Sequence, residues 1–166
     1  MASTVAVVGW SDSGKTTLLE RLLPVLRERG YRVATVKHHG HGGDADLPAK
    51  DTRRHWEAGA EAVALVCPGR LAVWRRCAAE PNLEEVVRLL ESQVPGLDLV
   101  LAEGFKHWVG PKIEVLGDGG EVWKDPNLLA VVVRKPLAAP VPALPADDPQ
   151  AVADFLERHV LAVARP

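Results

Sequence analysis

The densest chemistry in the 166-residue chain lies in Gly9-Trp10-Ser11-Asp12-Ser13-Gly14-Lys15-Thr16, which fits G-x-x-x-x-G-K-[ST]. In that pattern the glycines let backbone N–H groups wrap phosphate oxygens, the lysine reaches the β and γ phosphates, and the hydroxyl serves Mg²⁺. Gly9, Ser11, Asp12, Ser13, Gly14, Lys15, Thr16 and Thr17 are therefore the candidate phosphate-site residues. A magnesium-bound phosphate also calls for an acid at the end of a buried strand. Leu97-Asp98-Leu99-Val100-Leu101-Ala102-Glu103-Gly104 supplies Glu103 there.

A second concentration is Lys37-His38-His39-Gly40-His41-Gly42-Gly43-Asp44-Ala45-Asp46, with three imidazoles and two carboxylates in ten residues. Three readings stand. His38 and His41 could ligate a transition metal, although the spacing matches no standard structural zinc pattern. The stretch could be a solvated polar loop. Or it faces the γ-phosphate, with Asp46 completing a magnesium shell begun by Thr16 and Glu103 and the histidines meeting a second anionic ligand. On the last reading Lys15, Asp46 and Glu103 are the candidate catalytic residues.

Positioning these groups needs strand, turn and helix in a set order. Residues 5–8 are a short β-branched run ending in Gly9. Leu18, Leu19, Leu22, Leu23 and Leu26 then repeat at helical spacing up to Gly30. Pro24 falls inside that helix and should bend or locally break it. Residues 32–36 read as a second strand and residues 52–58 as a short helix. Residues 62–67 and 71–75 flank Pro68-Gly69 as a hairpin that sets Arg70 opposite Cys67. Leu83, Val86, Val87, Leu90 and Val94 give one helix face, closed by Pro95-Gly96. Apolar runs at 97–102, 113–116 and 129–133 read as buried strands. Residues 136–145 read as a Pro/Ala-rich connector leading to Asp148 and Pro149, a cap and first-turn proline for a last helix. The expectation is one α/β domain over residues 1–166: a P-loop NTPase fold, mainly parallel, flanked by helices, with an added β-hairpin.

Composition sets limits. With 47% hydrophobic and 25% charged residues the chain is ordinary for a globular protein, and it has no apolar run long enough to span a membrane. A net charge of −2 gives no electrostatic case for nucleic acid. The N-terminus lacks the basic segment of a secretory signal, and two cysteines are too few for a disulfide framework. A cytoplasmic protein with reduced Cys67 and Cys77 is expected.

Taken in order, the motifs resemble the molybdopterin-guanine dinucleotide biosynthesis protein B family (MobB), GTP-binding adapters of molybdenum cofactor maturation. The resemblance rests on Gly9 to Thr16, Val36-Lys37-His38 with His41, Asp44 and Asp46, and Lys50-Asp51-Thr52. It continues through Ala58-Gly59-Ala60, Glu103-Gly104-Phe105-Lys106 and Pro111-Lys112-Ile113. It implies a homodimer that binds GTP with Mg²⁺, hydrolyses it weakly, and serves the guanylyltransferase joining GMP to molybdopterin. It further implies Thr16, Asp46 and Glu103 as metal shell, with Lys37, His38, His41 and Lys106 facing molybdopterin. Asp12 stands where the family has a small or amide residue, Ala49 replaces a glycine, and Thr52 replaces a serine. Guanine itself is inherited from the resemblance, because the Asn-Lys-x-Asp motif of many GTPases is missing. Residue chemistry alone leaves two alternatives: a small-metabolite kinase or ATP-dependent ligase similar to dethiobiotin synthetase, and a metallochaperone GTPase using His38, His39 and His41.

Overall fold

The computed structural model describes residues 1–40, 50–118 and 120–162. It divides into two compact units, residues 1–38 with 82–166 and residues 39–81.

The larger unit is built on six strands: β1 (Ser3–Val8), β2 (Val33–Lys37), β5 (Leu99–Glu103), β6 (Lys112–Val115), β7 (Leu128–Val133) and β8 (Ala143–Pro145). They lie in the order β2-β5-β1-β6-β7-β8, and every pair is parallel. Helix α1 (Lys15–Glu28) follows β1, α3 (Leu83–Gln93) precedes β5, and α4 (Pro149–Leu156) ends in a wider turn over Glu157–Leu161.

Side-chain alternation explains the layering. Val5, Val7, Leu99, Leu101, Ile113, Val115, Ala130 and Val132 point to one face. There they form the main core with Leu18, Leu19, Leu22 and Leu26 of α1 and Val152, Phe155 and Leu156 of α4. Ala6, Val8, Val100, Ala102 and Val131 are fully buried at the alternate positions. A strand buried on both faces is the normal consequence of a parallel sheet. Arg29, at the end of α1, ties α4 down through Asp154 at 2.7 Å and Glu157 at 2.9 Å.

Local signals fix the helix ends, among them the expected cap at Asp148 and Pro149. Asn82 and Glu85 form a reciprocal capping box at α3. Asp148 caps α4 through the Ala151 N–H at 3.0 Å, with Pro149 in the first turn. Helix α1 runs unbroken through Pro24, as the buried leucines on both sides of the proline hold it in the core. The stretch read as a connector contains β8, an edge strand too short and too proline-rich to show a period. Pro145 is tolerated there because an edge strand need not donate on its outer side.

The smaller unit consists of α2 (Lys50–Glu57) and the antiparallel hairpin β3 (Ala62–Cys67) with β4 (Arg70–Arg75), in which Cys67 does face Arg70. Both cysteines are free and exposed. Arg76 stacks on Trp56 at 4.3 Å and donates to its carbonyl at 2.8 Å. No helix among the described residues is long and apolar enough to cross a membrane.

Candidate functional site

Parallel pairing brings four strand ends to one edge of the sheet. Val7 pairs with Glu103, Lys37 pairs with Glu103 from the other side, and Val8 pairs with Glu114. Ligands of open α/β sheets bind at this carboxyl edge. The loop 9–14 leaves β1 there and enters α1.

Its backbone depends on particular residues. Gly9 has φ 141°, and a Cβ would stand 2.4 Å from the Val115 carbonyl oxygen and 2.8 Å from Ser13 Oγ, so only glycine fits. Asp12 has φ 59°, in the left-handed region where glycine, asparagine and aspartate are the residues at least cost. That conformation accounts for the small or amide residue expected at this position. The Ser11 hydroxyl lies 3.4 Å from the Asp12 carboxylate as donor. Gly14, also left-handed, precedes α1, whose N-terminus has no side-chain cap, which leaves its first N–H groups for an anion.

The side chains converge as the sequence implied. Thr16 Oγ1 donates to Glu103 Oε1 and Oε2 at 3.0 and 3.1 Å, and Lys37 Nζ lies 3.2 Å from Glu103 Oε1. Lys15 Nζ donates to the Gly9 carbonyl at 3.3 Å and the Trp10 carbonyl at 2.6 Å. Burial lowers the Lys15 pKa; Glu103 acts against this, Lys106 and Lys37 add to it, and Asp12 opposes it last. Among the described residues, three ammonium groups thus share one electrostatic neighbourhood with the largely buried Glu103 carboxylate and the exposed Asp12. His38 packs on Phe105, ring centroids 5.1 Å apart. Phe105 is itself left-handed at φ 53°, and a Cβ on the preceding Gly104 would meet His38 Cβ at 3.1 Å. The Glu103-Gly104-Phe105-Lys106 turn therefore folds closely onto the end of β2.

These groups fit phosphate and a hard divalent cation. Thr16 and Glu103 are oxygen donors of the kind Mg²⁺ takes. The Gly9 cradle and the buried Ser13 hydroxyl, which has no hydrogen-bond partner among the described residues, suit phosphate oxygens. Thr17 is exposed on the first turn of α1. His41, Asp44, Asp46 and Ala49 lie outside the described residues, and among the described residues no group of three His, Cys, Asp or Glu is arranged to hold a metal.

Beside the loop stand Lys106, which the motifs include, and three residues they do not: Trp123, Glu114 and Arg134. Lys106 Nζ lies 4.9 Å from the Trp10 ring and 5.0 Å from the Trp123 ring. Glu114 is fully buried and accepts the backbone N–H of Trp123. Arg134, at the end of β7, reaches toward Gly14. The available signal was Lys112 and Glu114 alternating with Ile113 and Val115, since a central parallel strand with two charges is unusual.

Comparison with known proteins identifies the family. Residues 4–134 match the family model described as molybdopterin guanine dinucleotide synthesis protein B. The molybdopterin-guanine dinucleotide biosynthesis adapter protein of Escherichia coli is 35% identical over 161 residues, covering 94% of this chain and 92% of that protein. A probable adapter protein of the same description from Bacillus subtilis is 37% identical, covering 92% and 90%. The crystal structure of Bacillus subtilis MobB superposes with a TM-score of 0.76 at 32% identity, covering 94% of this chain and 97% of that one. With a family match over most of its length and a shared P-loop NTPase-type fold, the chain belongs to the molybdopterin guanine dinucleotide synthesis protein B family, MobB.

Proposed function

We propose that this chain is a nucleotide-binding adapter of molybdopterin guanine dinucleotide biosynthesis that takes GTP with Mg²⁺ and turns it over slowly. The observation that carries the reading is the Thr16–Glu103 pair beside Lys15 at the carboxyl edge of the sheet. In this reading the loop amides and Lys15 hold the phosphates. Thr16 and Glu103, with Asp46, hold the magnesium, which would neutralise phosphate charge when bound. Lys37, His38, His41 and Lys106 face molybdopterin as the second anionic ligand. Slow turnover follows from what the chain lacks: no glutamine stands out to orient water, so a rate on the order of 10⁻⁴ to 10⁻² per second is expected without a partner.

The partner in this proposal is the guanylyltransferase that joins GMP to molybdopterin, in the cytoplasm. The adapter acts as a homodimer. Val66, Leu71 and Val73, on one face of the β3–β4 hairpin, are 77%, 62% and 57% exposed, and a two-stranded ribbon with an apolar outer face gains from a second copy.

A competition panel of GTP, ATP and their diphosphates, each with and without Mg²⁺, tests the ligand. Preference for Mg²⁺–GTP is expected. Preference for ATP, with a phosphorylated metabolite as product, would transfer the chain to the kinase or ligase reading.

A further inference from the structure

Lys106 is not simply near the phosphate loop; it is bracketed. Its ammonium lies 4.9 and 5.0 Å from the Trp10 and Trp123 ring centroids. The two rings meet edge to face, 6.4 Å apart at 88°. Indole faces attract an ammonium, and two of them restrict where it can go. Trp10 belongs to the phosphate loop, and its carbonyl receives Lys15 Nζ. Trp123 belongs to the connection between β6 and β7.

That connection is anchored from the sheet below it. Glu114 has no exposed surface, and its Oε2 accepts the backbone N–H of Trp123 at 2.9 Å. Its Oε1 has no hydrogen-bond partner among the described residues. Two positions earlier, Lys112 is 3% exposed and pairs with Asp125, whose carboxylate also accepts the Asn127 N–H at 2.8 Å. Burying a carboxyl and an ammonium on a central strand is costly, and apolar residues would pack there without that cost. What the two residues accomplish is to fasten the connection at positions 123 and 125.

We propose that Glu114 and Trp123 are positioning residues of the anion site: Glu114 fixes Trp123, Trp123 and Trp10 fix Lys106, and Lys106, at the border between the second ligand and the nucleotide, also supplies a second ammonium to the phosphates beside Lys15. The proposal rests on the nucleotide reading of the loop. It is supported by the electrostatic influence of Lys106 on Lys15, which places both charges in one field.

The test is a double-mutant cycle on Mg²⁺–GTP affinity in the full chain. Lys106→Ala is expected to weaken binding about tenfold, as loss of a charge-assisted contact, and Trp123→Ala about fivefold, as loss of a cation–π contact. The double variant should bind within about twofold of Lys106→Ala, because Trp123 acts through Lys106. Glu114→Val, which removes the acceptor, should match Trp123→Ala, while Glu114→Gln, which keeps an acceptor oxygen, should bind as wild type. If Glu114→Val does not fold by circular dichroism, the Trp123 arm decides alone. Multiplying losses in the double variant, or wild-type affinity in Trp123→Ala, would overturn the bracket while leaving the nucleotide site standing. Wild-type chain that binds no GTP removes both.

Discussion

Replacing Glu103 by glutamine separates two effects that point in opposite directions. Glu103 is 8% exposed, receives the Thr16 hydroxyl at 3.0 and 3.1 Å, and faces Lys37 at 3.2 Å. Glutamine keeps the shape and an acceptor for Thr16 but loses the charge. Without divalent cation, the carboxylate repels phosphate and partly neutralises the nearby lysines, so Glu103→Gln should bind GTP as well as wild type or better. With Mg²⁺, the cation loses an anionic partner worth about 1.5–3 kcal/mol, the range for contacts to charged groups, which corresponds to about 10- to 100-fold in affinity. The ratio of affinities with and without Mg²⁺ should therefore fall by about tenfold or more. Stability should change little, since the Lys37 side chain is 59% exposed and such a pair contributes about 0–1 kcal/mol. Calorimetric titration of GTP in millimolar Mg²⁺ and in chelator measures the ratio. An unchanged ratio would remove Glu103 from the metal site, and an equal loss in both conditions would make it a prop for the loop.

Other consequences are simpler. Gly9→Ala places a Cβ 2.4 Å from a backbone oxygen and should cost about 2–5 kcal/mol in urea unfolding, combining backbone strain with overpacking; an unshifted midpoint would mean the loop relaxes freely. Burial raises the Glu114 carboxyl above its ordinary 4.5, with the Trp123 N–H opposing. Its stabilising contribution is therefore complete below that value and is lost as pH rises through the folded-state pKa. Across that window, the stability of Glu114→Gln relative to wild type should rise by up to about 1.4 kcal/mol per pH unit, and parallel pH profiles would contradict this. Val66→Asp with Leu71→Asp should convert a dimer to a monomer in light scattering. A wild-type monomer, or a variant that stays dimeric, would reject the hairpin interface.

What could be read from the sequence was whatever is local. The apolar spacing of α1 and α3, the β-branched strands, the capping residues of α4 and the hairpin turn each act within a few residues, so the α/β fold and its parallel sheet were legible. So was the turn from β1 into α1, because its glycines and Lys15 form one contiguous pattern. Thr16 and Glu103 are 87 residues apart and could be joined only by assuming that β1 and β5 are neighbours, which they are. Trp123 and Glu114 went unread because their roles exist only after the β6–β7 connection folds back over the sheet. Asp12 looked out of place until its left-handed backbone explained it. Edge strand β8 offered three residues, too few for any period.

In the proposed function, residues 9–16 hold nucleotide phosphates through Lys15. Calorimetric titration of Mg²⁺–GTP into wild type and Lys15→Ala, both confirmed folded, tests it most directly. Stoichiometric binding by wild type and none by the variant is the predicted result. GTP affinity that survives the loss of the Lys15 ammonium would contradict the account.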